Sequence, residues 1–297
     1  MGKSVKFLLK LMGVVMNKIG KLLSVLILTV FGLMTAAPLF FLFCGGLMGN
    51  GEINEYLKPF IYHMDGYAGW RLFPLYPTLR NFVKLFLDSP EFFRMFWNTM
   101  AFTAGILSGQ FLFGLPAAWG LARYPVPAKK VFYMLCIVLM MLPFQVTMLS
   151  EYLVLNRLGM LDTLWSMILP GVFSTFSVFL MYRFFCGIPE ELLESARIDG
   201  AGELQIFFML GVPLGASGIL SALVLQFLEC FNMIEQPLVF LKEKSRWPLS
   251  LYLPEIDEKQ MGFALCCSFV ALVPPLLVFC IGQQYLEAGI MAGAVKE

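Results

Sequence analysis

Histidine occurs once in these 297 residues, at position 63. A lone imidazole in a polar loop cannot build a metal site, and it leaves no Ser–His pair at one depth for a serine hydrolase. Charge is scarce as well: Asp, Glu, Lys and Arg make up 14% of the chain and leave a formal net charge of +1, so nothing argues for a nucleic-acid partner. No aspartate falls inside a long apolar run, which excludes a paired-aspartate intramembrane protease. No GxxxxGK[ST] motif is present, so the chain cannot cradle nucleotide phosphates itself. The opening "MGKS" is no substitute, since nothing precedes it, and Lys6 disqualifies it as a myristoylation signal. The seven cysteines (Cys44, Cys136, Cys186, Cys230, Cys266, Cys267 and Cys280) lie in or beside apolar runs without zinc spacing. They read as small polarisable packing residues.

What the chain has in abundance is apolar surface. Hydrophobic residues make up 59% of it, phenylalanine alone contributes 30 positions, and the mean hydropathy is +0.78. Several runs exceed the roughly 18 residues that mark a transmembrane helix. The sequence predicts an all-α polytopic membrane protein with six spans: Leu22–Cys44, Phe96–Ala122, Val131–Ser150, Thr163–Phe185, Ile206–Phe227 and Gln260–Gln283. Pro38, Pro116, Pro143, Pro170, Pro213, Pro274 and Pro275 interrupt or flank them, which is tolerated where neighbours satisfy the freed carbonyls. Gly105, Gly109, Gly114, Ala118, Gly211, Gly215 and Gly218 suit close helix packing.

Lys3, Lys6, Lys10, Lys18 and Lys21 fall within an arc of about 120° on a helical wheel. Residues 1–21 therefore read as an amphipathic helix on an anionic lipid surface, running into the first span. A signal peptide is excluded because the following run is too long. An inside N-terminus gains these lysines plus Arg123, Lys129 and Lys130, and six spans then put both termini and residues 186–205 on that same face. Residues 50–95 form a long external loop, rich in aromatic residues, whose back half reads as interfacial helix.

The anomaly is the polar stretch "ELLESARIDGAGELQIF", residues 191–207, set between two apolar runs. Pro189, Glu190 and Glu191 make a helix start, with acids at the positive end of the dipole. Leu192, Leu193 and Ala196 share one face; Glu190, Glu194 and Arg197 share the other. The helix should stop at Asp199–Gly200, where glycine can take a left-handed turn, and a second helix should begin near Gly202–Glu203. Such a helix–turn–helix is either a docking site or an amphipathic linker.

"ESARIDGAGELQIFFMLGVP" resembles the EAA signature of binding-protein-dependent ABC importer permeases, with Glu194, Ala196, Asp199, Gly200, Ala201, Phe207 and Pro213 in register and Ser195 in place of the middle alanine. The tail "GQQYLEAGIMAGAVKE" resembles the C-terminus of the maltose-type G permease family, and "PTLRNFVKLF" with "WNTM" resembles the entry to the second span in carbohydrate permeases. The resemblance implies the type I ABC importer permease fold: a six-span domain over 22–283, a cytoplasmic coupling helix at about 189–204 and a cytoplasmic tail over 284–297. It implies that Glu194, Ser195, Ala196, Asp199, Gly200, Ala201 and Phe207 couple the spans to a separate ATPase, and that Gly293, Ala294, Val295 and Lys296 reach between two ATPase subunits.

The implied partners are a second, different permease, two ATPase chains carrying ATP and magnesium, an extracytoplasmic binding protein and membrane lipid. This chain itself binds no cofactor or metal in that reading. The implied location is a prokaryotic cytoplasmic membrane with both termini inside. Polar residues within spans are expensive and usually face an interior, which nominates Gln110, Gln145, Thr147, Gln226, Glu229, Asn232 and Glu235 for a substrate path; Gln145, Glu229, Asn232 and Glu235 stand foremost. In "FLECFNMIEQPLVFL" Phe231 and Met233 depart from the carbohydrate-permease pattern, while Asn232, Pro237 and Leu238 keep it. Two other readings stay open: a polytopic enzyme acting on lipid-linked or glycan substrates, and a membrane scaffold that transports nothing.

Overall fold

The computed structural model describes residues 2–61, 67, 73–125, 127, 129–252 and 260–294, with side chains described within 20–59, 67, 73–125, 127, 129–252 and 260–287. Regular structure is helical throughout, and no strand occurs among the described residues. In chain order the helices are α1 (Gly2–Gly46), α2 (Asn50–Ile61), α3 (Arg80–Asp88), α4 (Pro90–Gly109) and α5 (Leu115–Arg123). Then come α6 (Lys129–Met141), α7 (Phe144–Arg157), α8 (Leu164–Val172), α9 (Thr175–Cys186), α10 (Glu190–Ile198) and α11 (Glu203–Ile206). The last four are α12 (Val212–Leu214), α13 (Ala216–Phe231), α14 (Glu235–Phe240) and α15 (Met261–Ala294). Single π-helical turns, Gln110–Gly114 and Phe207–Gly211, join α4 to α5 and α11 to α12.

Among the described residues, four stretches are long and apolar enough to cross a membrane: Gly20–Gly46, Pro90–Arg123, Leu164–Cys186 and Met261–Glu287. Counting each of two bent helix pairs as one span brings the number to six. The expected third span, Val131–Ser150, is not one straight helix: α6 and α7 meet at 103°, because Pro143 lacks an N–H and pushes Leu142 out of the helical region. The expected fifth span, Ile206–Phe227, bends by 70° at Gly215. The region expected to be a long loop, 50–95, is largely helical in its described part: α2 occupies its start, α3 its later part, and the second span already begins at Pro90, with Ser89 at its N-cap.

The chain divides into two compact units. The first holds residues 1–85 and 257–270. Its pivot is Asn81, whose buried amide donates to Gly46 O at 3.1 Å and Met48 O at 2.8 Å, satisfying carbonyls at the end of α1 that helix termini leave open. The second holds residues 86–256 and 271–297. There α5 packs on α9, α4 on α8 and α13 on both α9 and α4. Glycine makes these approaches possible: a Cβ at Gly109 would lie 2.2 Å from Val172 and one at Gly218 would lie 2.1 Å from Phe184.

The two π turns share a cause. Gly114-Leu115-Pro116 and Gly211-Val212-Pro213 carry the same Gly-x-Pro spacing. Neither proline can donate, and in a straight α-helix its ring would press on the carbonyl four residues back. The ladder slips by one residue just before each proline: Leu115 N–H donates to Gln110 O and Val212 N–H to Phe207 O.

Candidate functional site

The polar stretch folds as its local chemistry dictates. Pro189 (φ −60°) sets the entry to α10, and Glu190 and Glu191 occupy its first turn. At the other end Gly200 adopts φ +87°. Its N–H donates to Arg197 O and the Ala201 N–H to Ala196 O, both at 3.0 Å, which closes a full Schellman motif. Gly202 then caps α11, its N–H donating to Gln205 Oε1 at 3.0 Å.

A charge network holds α10 from three sides. Arg123, at the end of α5, donates to Glu190 Oε2 at 2.9 Å, to Ile188 O at 2.7 Å and to Phe185 O. Its side chain is only 7% exposed, and it lies over the Trp119 ring. Arg197 bridges Glu190 (3.1 Å) and Glu203 (2.9 Å), and Tyr124 closes the loop by donating to Glu203 Oε2 at 3.0 Å. Burial first, then the bond to Glu203, raises the Tyr124 phenol above its ordinary pKa and keeps it a donor. Because Arg123 and Tyr124 are neighbours, the circuit Arg123–Glu190–Arg197–Glu203–Tyr124 joins the end of α5 to both sides of the Gly200 turn. Neither Arg123 nor Tyr124 is among the coupling residues expected from sequence. The available signal is an Arg-Tyr-Pro step at the end of an apolar run.

Beneath the circuit Leu193 is fully buried against Trp119, Phe185 and Ile206 of one hydrophobic cluster, with Ala196 and Ala201 packed on its edge. Leu192, expected on the same face, points outward instead, because the buried stripe is centred on Leu193. Phe207, counted among the coupling residues, is 5% exposed with its ring 5.6 Å from Trp119; it anchors the fold from inside and presents nothing to another subunit. Glu194, Ser195 and Asp199 are exposed. Ser195 bonds back to Glu191 O at 2.8 Å, while Glu194 and Asp199 make no ion pair among the described residues. Beside them runs a groove of about 370 Å³, lined by Ala196, Asp199, Gly200, Ala201, Gln205 and Met209 among others. Ile198 (86% exposed) and Leu204 (74%) stand out from the same segment. Large apolar side chains thus stand uncovered in the same segment as two carboxylates that make no ion pair among the described residues.

The polar span residues fall into two sets. Gln145 Nε2 donates to both oxygens of Glu235 at 2.7 Å, an exposed pair joining α7 to α14. Asn232 caps Leu228 O at 2.9 Å and is exposed, as is Glu229. Gln110 and Gln226, by contrast, are buried and spent on packing: Gln110 donates to Gly171 O at 2.8 Å, and Gln226 accepts from Ser177 at 3.1 Å. Thr147 bonds within its own turn, to Phe144 O. In the tail, Gly293 and Ala294 continue the backbone of α15, and Val295 and Lys296 lie outside the described residues. Among the described residues, no group of three or more His, Cys, Asp or Glu is placed to hold a metal ion.

Comparison with known proteins bears on this geometry. Residues 110–291 match the sequence profile described as "Binding-protein-dependent transport system inner membrane component". The arabinooligosaccharides transport system permease protein AraQ of Halalkalibacterium halodurans is 29% identical over 222 residues, 74% of this chain and 80% of that protein. LplC of Bacillus subtilis is 24% identical over 293 residues, 92% and 93% of the two chains. The sn-glycerol-3-phosphate transport system permease protein UgpE of Brucella suis is 24% identical over 285 residues, 93% and 96%. In fold, a chain from the crystal structure of a bacterial ABC transporter involved in the import of the acidic polysaccharide alginate superposes with a TM-score of 0.76 at 20% identity, over 91% of this chain and 97% of that one.

Proposed function

This chain belongs to the binding-protein-dependent transport system inner membrane component family, and from that premise we propose that it is the permease subunit of an ATP-driven importer that carries a carbohydrate. The substrate is an oligosaccharide handed over by an extracytoplasmic binding protein. The permease pairs with a second, different permease and with two ATPase subunits, which hold ATP and magnesium. Both termini and α10 face the cytoplasm of a prokaryotic cell. The chain is not itself an enzyme. Relatives that carry arabinooligosaccharides and an alginate importer of the same fold support the carbohydrate reading.

The observation that carries the proposal is the surface at α10. Its ends are fixed by a Schellman turn and a charge circuit, while Glu194, Asp199, Ile198 and Leu204 are left exposed beside a groove. A segment that only linked two spans would need neither the fixation nor the uncovered apolar residues. In this reading Glu194 meets a basic residue of the ATPase, Ala196, Ala201 and Gly200 allow close approach, and Gly293, Ala294, Val295 and Lys296 reach between the ATPase subunits. ATP-driven closure of those subunits moves α10, and the shift counts only because one state of the permease is gripped better than the other. Gln145, Glu229, Asn232 and Glu235 are the polar lining of the path.

The test is reconstitution with the cognate partners in proteoliposomes. Wild type takes up oligosaccharide on ATP addition. Glu194→Lys and Gly200→Pro insert normally but lose capture of the ATPase and lose uptake. Normal uptake by a correctly inserted Gly200→Pro protein removes the role assigned to this helix. Labelling of Ser195→Cys from the outside of intact cells removes the orientation.

A further inference from the structure

Helix α6 has no buried residue along its 13 positions, and it docks on α9. Across a narrow cleft Lys129, Tyr133 and Cys136 of α6 face Val178, Phe179 and Tyr182 of α9. The Tyr133 ring stacks on Phe179 at 5.6 Å and Lys129 lies over the Tyr182 ring at 5.8 Å, so the two helices run antiparallel. Each residue turns a helix by about 100°. In an antiparallel pair the step from Lys129 to Lys130 and the step from Tyr182 to Arg183 therefore turn to the same side of the contact. Lys130 and Arg183 are both exposed, and neither makes an ion pair among the described residues. Lys129 stands behind them, its ammonium donating to Ala122 O at 3.1 Å. Neither helix contains an acid. Glu190, the next acid along the chain after Arg183, is held by Arg123 and Arg197.

Other flanks of α9 are occupied: Trp119 of α5 meets Phe185, and Gln226 of α13 accepts from Ser177. The flank below the two cations is apolar. On α6 it continues from Lys130 through Met134, Ile137 and Met141, at i+4, i+7 and i+11; on α9 it runs back from Arg183 to Phe179 and Phe176. Met134 and Met141 stand exposed on it. Cations without a counter-charge thus head an apolar strip. We propose that this flank binds one anionic phospholipid, its phosphate between Lys130 and Arg183 and an acyl chain along Met134, Ile137 and Phe176. Phosphate oxygens accept charge-assisted hydrogen bonds from guanidinium and ammonium groups, and basic pockets between membrane helices take such headgroups. A free phosphate ion would answer the cations and leave the strip bare. The site is separate from the lipid surface expected for the lysines of residues 1–21.

The test is native mass spectrometry of the full chain in its purified complex, stripped of lipid in detergent and offered equal amounts of dioleoyl phosphatidylglycerol and dioleoyl phosphatidylcholine. Wild type retains one phosphatidylglycerol with a preference of at least about tenfold. Lys130→Gln with Arg183→Gln brings the preference to within about twofold, whereas Lys130→Arg with Arg183→Lys keeps it. Met134→Gln with Ile137→Gln weakens both lipids and leaves the headgroup preference in place. Equal retention of the two lipids by wild type overturns the site. So does an undiminished preference in the Lys130→Gln, Arg183→Gln protein, or a preference lost only in Lys18→Gln with Lys21→Gln, which assigns the lipid to the N-terminal helix. Displacement of the lipid by inorganic phosphate at about equal concentration makes this a free-anion site and overturns the lipid. Separation of the two permeases on size exclusion in the Lys130→Gln, Arg183→Gln protein assigns the cations to the subunit interface and overturns it as well.

Discussion

Single positions in this chain answer to different physics even when the residue is the same. Gly200 is required for its backbone: φ is +87°, and a Cβ added there would meet nothing within 4 Å, so the cost of a side chain is conformational rather than steric. We expect Gly200→Ala to lower stability by about 1–2 kcal/mol and to keep its uptake, in contrast to Gly200→Pro, which also deletes the N–H bonded to Arg197 O. Gly218 is required for its smallness. A Cβ would sit 2.1 Å from Phe184, and Gly218→Ala should cost about 1–3 kcal/mol as α13 is forced off α9. Gly120 is required for neither: a Cβ there meets nothing, and inside a helix Gly120→Ala should gain about 0.5–1 kcal/mol. Thermal melts of the three alanine variants in one detergent check the order.

Between elements, the Arg123 circuit divides into a buried and an exposed half. Arg197 and Glu203 are each more than a third exposed, so Glu203→Gln should cost less than about 1 kcal/mol and its effect should fade with added salt. Arg123 is different, because Arg123→Met strips two backbone carbonyls and Glu190 of their donor at once. A loss on the order of 3 kcal/mol is expected, with a lowered melting temperature that salt does not restore. The exchange Arg123→Glu with Glu190→Arg returns the ion pair but not the carbonyl contacts, so it should recover only part of the loss. The π turns are a second case of shared design. Pro116→Ala and Pro213→Ala each return a missing N–H, allowing the straight ladder. Each variant should exchange backbone hydrogens more slowly around its turn than wild type, which mass spectrometry of the purified chain reads directly.

Over the molecule as a whole, the sequence disclosed what is local and hid what is distant. The start of α10 at Pro189, its stop at Gly200 and the restart at Gly202 were legible because caps act over four or five residues. Six apolar runs were legible because burial in lipid needs about 20 residues in a row. Whether Pro143 would only flank a helix or turn it by 103° was not legible, since membrane helices accommodate proline either way. Arg123 and Glu190 lie 67 positions apart, and no periodicity links them. Leu192 and Leu193 differ by one step on a wheel, too little for pattern alone to decide which turns inward. Phe207 belongs to a signature read as a docking surface, yet a π turn carries it into the core. At this scale one outcome is expected of the assembled importer: cross-linking from Glu194→Cys should reach the ATPase, while Phe207→Cys should stay unlabelled. The short joint Gly187-Ile188-Pro189 sets the phase of everything after it. One residue inserted there would rotate α10 by about 100°, carrying Leu193 into water, Leu192 into the buried place it leaves, and Glu190 out of reach of Arg123. The length of this three-residue spacer is thus as much a part of the arrangement as any side chain it holds in place, and a chain with four residues here would need a different set of contacts to hold α10 against α5.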